Sequence, residues 1–110
     1  MERRVGLRAR TDFRVIARTG CLAAHCRGIE ISCTGIIVDR GRLVTRREQP
    51  MVLKLELLLP ERMRVLKALA RPIWCFGTQQ ALRFVRMSDV DRLSLAEHLD
   101  ILRIKGVTLN

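Results

Sequence analysis

Polar and apolar residues alternate along most of this chain with a period of two. In FRVIA (residues 13–17), Phe13, Val15 and Ala17 fall on one side and Arg14 and Ile16 on the other, the pattern of a strand with one buried face. Thr19-Gly20 reads as a turn, CLAAHCRGIEI (21–31) as a second extended stretch broken at Arg27-Gly28, and SCTG (32–35) as the turn before GIIVD. Asp39 to Gly41 punctuates the chain again. Further along, MVLKLELLL (51–59) sets Val52, Lys54 and Glu56 against Leu53, Leu55 and Leu57. Pro60-Glu61 turns the chain, and RVLKALARPIW (64–74), the loop GTQQ (77–80) and ALRFV (81–85) complete the series. About six strands joined by short turns predict an antiparallel barrel or sandwich, because parallel strands need longer crossovers.

The period then changes. Ser88 followed by Asp89 and Asp91 has the form of an N-cap with acids in the first turn, and Gly106 is a stop signal, which places a helix over 88–106. Leu95, Leu99 and Leu102 make one apolar stripe suited to docking on a sheet, while Val90, Leu93, Ile101 and Ile104 make a second on nearly the opposite side. A single docking site does not use both. Either the helix lies in a groove or ends early, or the second stripe is a homodimer contact.

With 110 residues and no linker-like or repeated segment, the chain reads as one domain able to bury a core without a staple. No apolar run approaches a membrane span, and no apolar region follows the N-terminal arginines. The expectation is a cytoplasmic protein without membrane insertion. In that compartment Cys21, Cys26, Cys33 and Cys75 stay reduced. Their spacing lacks the close pairs of a zinc site, so no metal is expected and burial as small hydrophobes is.

Charge narrows the picture further. Of a net +10, residues 1–47 carry eleven Arg against four acids, and residues 48–110 ten Lys or Arg against seven. The positive field therefore sits on the first half, where it attracts phosphate from any source. Nucleic acid is a poor match, because no Tyr, one Trp and three Phe leave little to stack on bases. An enzyme is a poorer one: no Ser/His/Asp grouping, paired acid set, P-loop or metal-ligand spacing can be assembled, and His25 and His98 stand alone.

Two short patterns carry the remaining information. Arg4-x-x-x-Arg8 precedes the first strand, and Glu30-x-Ser32-x-x-Gly35 falls at the second turn. Each has a bland reading: a solvated basic tail for the first, a plain turn for the second, and for Glu30 a surface pairing with a neighbouring arginine worth little. Trp74 and Phe84 read as core. What singles out the arginines is position, since both lie ahead of the first strand and a strand-ending turn follows at a fixed remove.

In that order and spacing the chain resembles the PilZ family of bacterial cyclic di-GMP receptors, whose pattern is an RxxxR arm, a strand pair, [DN]xSxxG, and a barrel closed by a C-terminal helix. The arm here is ERRVGLR, the turn EISCTG, the later strands IWCFGTQQALRFV and the closing helix SDVDRLSLAEHL. Glu30 stands at the family's Asp or Asn, and Ala81 where the later strand usually has glycine. The resemblance implies a six-stranded antiparallel β-barrel with a C-terminal α-helix, divided into an arm (1–12), a barrel (13–87) and the helix (88–106). It implies a cyclic di-GMP receptor or adaptor in which Arg4, Arg8, Glu30, Ser32 and Gly35 meet the ligand, the arm orders over it, and the signal passes through an effector protein. Its alternatives are a module of the same fold that has lost the ligand, or a basic small barrel for nucleic acid.

The chemistry of those residues fits such a ligand. An arginine fork matches a phosphate or the O6/N7 edge of guanine, and two arginines on one segment bracket what one cannot span. Ser32 both donates and accepts, and a carboxylate at Glu30 can accept from the guanine N1–H and N2–H edge. Gly35 removes a Cβ where the backbone turns and approaches something closely. Arg3 extends the pair to three cations, a density suited to two stacked ligand molecules.

Overall fold

The computed structural model describes residues 8–44, 51–60, 65–104 and 108–109. Strands β1 (Arg8–Thr19), β2 (Leu22–Ile31), β3 (Gly35–Asp39), β4 (Leu53–Leu58), β5 (Leu66–Phe76) and β6 (Gln79–Met87) precede helix α1 (Asp89–Ile104), and a two-residue strand β7 (Thr108–Leu109) follows it. The antiparallel order β2-β3-β6-β5-β4-β1 closes through a second pairing of β1 with β2, giving a closed six-stranded barrel, and β7 adds to the start of β1.

Alternation builds the barrel wall. Phe13, Val15 and Ala17 of β1 and Leu53, Leu55 and Leu57 of β4 all point inward and are buried, as the period-two pattern requires. They join Ile31, Ile36, Val38, Leu66, Ala68, Ala70 and Leu82 in one core. Gly28 gives Phe13 its place, since a Cβ at residue 28 would stand 2.9 Å from the Phe13 ring.

Closure of the barrel's end falls to α1. Ser88 Oγ accepts the Asp91 backbone N–H at 3.1 Å, the N-cap bond that satisfies one of the helix's orphan donors. Asp91 in turn accepts the Lys67 backbone N–H at 3.3 Å, so the first helical turn finishes the ladder at the level where β6 ends. Leu95, 1% exposed, enters the core, with Leu99 packed against it. Of the second stripe, Val90 (56%), Leu93 (63%) and Ile104 (82%) are exposed and Ile101 is half-buried. Among the described residues, no helix is long and apolar enough to cross a membrane.

Three details differ from the sequence expectation. β1 begins at Arg8, within the stretch assigned to the arm, because its backbone is paired on both sides: Ala9 and Arg10 with Ile31 and Glu30 of β2, Arg8 and Ala9 with Leu109 and Thr108 of β7. Of the four cysteines only Cys26 is buried; Cys21 falls in the β1–β2 turn and Cys33 in the β2–β3 turn, both exposed, and Cys75 is half-buried. Trp74 is 41% exposed rather than core, because a bulge between Pro72 and Trp74 breaks the alternation that turns Leu66, Ala68 and Ala70 inward.

Candidate ligand-binding site

The turn joining β2 to β3 is held by one hydroxyl. Ser32 Oγ accepts the backbone N–H groups of Thr34 (3.2 Å) and Gly35 (3.3 Å) and lies 3.1 Å from Thr34 Oγ1. The Ser32 backbone N–H donates to the Gly35 carbonyl at 2.9 Å, and the Phe84 N–H of β6 donates to the Thr34 carbonyl at 2.8 Å. Ser32 is 8% exposed and its polar atoms are largely occupied by the turn, so its first duty is to fix the corner's shape.

Gly35 is glycine for a steric reason. Its φ is not in the left-handed region, but a Cβ there would stand 2.5 Å from the Leu82 carbonyl oxygen of β6. The close approach foreseen for this residue is therefore an approach to β6.

Around the corner lies an open cleft of about 500 Å³ whose walls include Glu30, Ser32, Thr34, Gly35, Trp74 and Arg83. Glu30 is half-buried, with its Oε1 shielded from solvent. Arg83 lies directly opposite Gly35 on β6 and is exposed. It forms no ion pair among the described residues. Trp74, opposite Ala81 across the β5–β6 pair, brings an indole to the same cleft. The methyl of Ala81, 9% exposed, is part of the lining.

The structure thus brings Glu30, Ser32 and Gly35 together on one cleft, and sets the start of β1 beside it. With Ala9 opposite Ile31 and Arg10 opposite Glu30, the backbone at the start of β1 runs beside the end of β2 that leads into the Ser32 turn. Arg3 and Arg4 lie outside the described residues. Sequence reasoning missed Trp74 and Arg83 as cleft residues. The signal for Trp74 was a Pro-containing strand, since proline inside a sheet marks an edge or a bulge. For Arg83 it was the lone cation among apolar neighbours in QALRFV.

A carboxylate, a guanidinium and an indole around a polar corner form a set that can take a planar, hydrogen-bonding, anionic ligand. The described residues contain no group of three or more His, Cys, Asp or Glu placed to hold a metal ion.

The fold is that of PilZ domains. The PilZ domain of YcgR from Escherichia coli, solved with cyclic di-GMP, matches with a TM-score of 0.76 and 14% identity, covering 96% of this chain and 95% of that one. MotI/DgrA, an inhibitor of motility from Bacillus subtilis, matches with a TM-score of 0.78 and 17% identity over 96% of this chain. This chain spans about half, 53%, of the Bacillus protein's length. An uncharacterised Legionella protein matches at a TM-score of 0.54 and 19% identity. No family model matches the sequence, and no curated protein does.

Proposed function

We propose that this chain is a cyclic di-GMP receptor that acts as an adaptor in the bacterial cytoplasm. The observation that carries the reading is the convergence of Glu30, Ser32 and Gly35 on one open cleft, with the start of β1 paired to the end of β2 that leads into it. Support comes from the likeness in fold to a PilZ domain solved with that ligand. Cyclic di-GMP enters the cleft, Glu30 accepts from a guanine edge, Arg83 meets a phosphate, and Trp74 supplies an apolar face for a purine. Arg3, Arg4 and Arg8 then close over the ligand, an ordering driven by charge-assisted bonds made only in the complex. The chain does no chemistry on the nucleotide; the altered surface is what an effector protein reads.

Calorimetric titration of cyclic di-GMP, with GTP and a short oligonucleotide as comparators, tests this. The receptor reading expects tight binding of cyclic di-GMP alone, with Arg4→Ala or Arg8→Ala each costing about 1.5–3 kcal/mol, the worth of a charge-assisted contact. Two ligands per chain support a place for Arg3 in a stacked pair, and one ligand removes it. Equal binding of GTP, or steeply salt-dependent binding of the oligonucleotide in place of cyclic di-GMP, refutes the assignment. Absence of any binding favours an interaction module of the same fold.

A further inference from the structure

Toward the other end of the β5–β6 pair, the outer wall of the barrel carries a row of cations. Arg18 pairs with Lys54, Lys54 with Leu69, and Leu69 with Arg86, in register across β1, β4, β5 and β6. The neighbouring row runs Ile16, Glu56, Lys67. Residues paired directly across strands share a face. Arg18, Lys54, Glu56, Lys67, Leu69 and Arg86 wall an open cleft of about 680 Å³ that ends at Ser88 and Asp91, where α1 begins.

Its two carboxylates are already engaged. Glu56 accepts from Arg18 Nε at 2.8 Å, and Asp91 is buried, accepting the Lys67 backbone N–H. Lys54, Lys67 and Arg86 are exposed and form no ion pair among the described residues. Between them, half-buried Leu69 presents apolar surface, and on the same outer face, beyond the cleft's lining, half-buried Ile16 and Val52 at 43% exposure continue it. Arg18 is already matched by Glu56, and the charge left without an ion pair among the described residues, on Lys54, Lys67 and Arg86, is what an anionic occupant would offset.

We propose that this cleft docks an acidic amphipathic segment of a partner protein. The proposal supplies the surface for the effector contact named above, and rests on that reading for its purpose. Charge complementarity sets the sign of the partner, and the apolar floor among the cations requires aliphatic groups interspersed with its carboxylates. A concave site fits a segment better than a planar bilayer. A nucleic acid strand would find its phosphates matched, but no aromatic side chain lines the cleft to stack its bases.

The test is fluorescence anisotropy at physiological salt with a short labelled peptide of alternating Glu and Leu. Comparators are a poly-Glu peptide of equal length, single-stranded oligothymidylate and phosphatidylglycerol vesicles. The Glu/Leu peptide is expected to bind best, and Lys54→Glu with Arg86→Glu to weaken it about tenfold or more. Arg103→Glu, on the exposed end of α1, is expected to leave it unchanged. Lys54→Gln with Arg86→Gln provides a milder pair should the reversed charges impair folding. Equal binding by wild type and both double variants overturns the proposal. So does poly-Glu binding as tightly as the Glu/Leu peptide, or binding confined to oligothymidylate or vesicles. Because the double variants leave the Ser32 turn and the arm intact, titrating them and the wild type with cyclic di-GMP separates the two readings. Wild type that takes the peptide but not the nucleotide refutes the receptor and leaves the docking face standing.

Discussion

Replacing Gly35 with alanine asks whether this glycine serves the barrel or the ligand. The new methyl would stand 2.5 Å from the Leu82 carbonyl oxygen, where ordinary contact begins near 3.4 Å. The obstacle is backbone, which cannot swing aside as a side chain can, so β3 and β6 must part by the better part of an ångström. Overpacking of this kind costs about 1–3 kcal/mol. The Ser32 N–H to Gly35 carbonyl and Phe84 N–H to Thr34 carbonyl bonds flank the strained point, and loss of one adds about 0.5–1.5 kcal/mol. A destabilisation of about 2–4 kcal/mol follows, against a total stability of about 5–15 kcal/mol for a domain. Urea unfolding followed by far-UV circular dichroism should show a lower midpoint with an unchanged slope, and the thermal midpoint should fall by roughly 10 °C or more. A variant as stable as the wild type, but deficient in cyclic di-GMP binding, would refute the steric argument and make Gly35 a residue of the ligand alone.

Three further outcomes are expected. Leu95→Ala, which empties a side chain 1% exposed at the end of the barrel, should cost about 2–5 kcal/mol in urea titration; a loss below 1 kcal/mol, about that of an exposed position, would mean that α1 does not seal the core in solution. Burial raises the Cys26 thiol above its ordinary pKa, keeping it protonated near neutrality, whereas Cys21 and Cys33 are exposed; iodoacetamide followed by mass spectrometry should therefore modify those two first and Cys26 only on unfolding. The hydrogen bond from Arg18 holds the Glu56 carboxyl below its ordinary pKa, so the stability this pair contributes is present above the ordinary glutamate range and lost as pH falls through the lowered folded value. Arg18→Ala should return Glu56 upward in a carboxyl-detected NMR titration, and an unmoved titration would show that the pair does not form in solution.

The sequence was most legible where the pleat is unbroken. Leu53, Leu55 and Leu57 alternate with polar neighbours and face one core, so periodicity alone assigned their side of the sheet. The N-cap at Ser88 was readable because capping is local chemistry between residues three apart. Trp74 was misread because a bulge at Pro72 slips the register; the two-residue period does not announce the slip, and only the proline marks it. The cysteines were misread for a related reason: Cys21 and Cys33 sit in turns, where small size no longer implies burial. Gly35 was legible as a point of close approach but not in its partner, since Leu82 lies 47 residues further along the sequence and only strand pairing brings it near. β7 escaped notice altogether. Two residues carry too little pattern to register, and what makes them a strand is the open edge of β1 beside them.

That short strand ties the segment after α1 to the start of β1. Thr108 and Leu109 lie against Ala9 and Arg8, so Ala9, opposite Ile31, has β2 on one flank and a two-residue splint on the other. So brief a splint opens far more often than the barrel melts. Amide exchange at Ala9 should therefore run ahead of that at Val15, and a tag that pulls on β7 should loosen the start of β1 without touching a single residue that lines the cleft at the Ser32 turn.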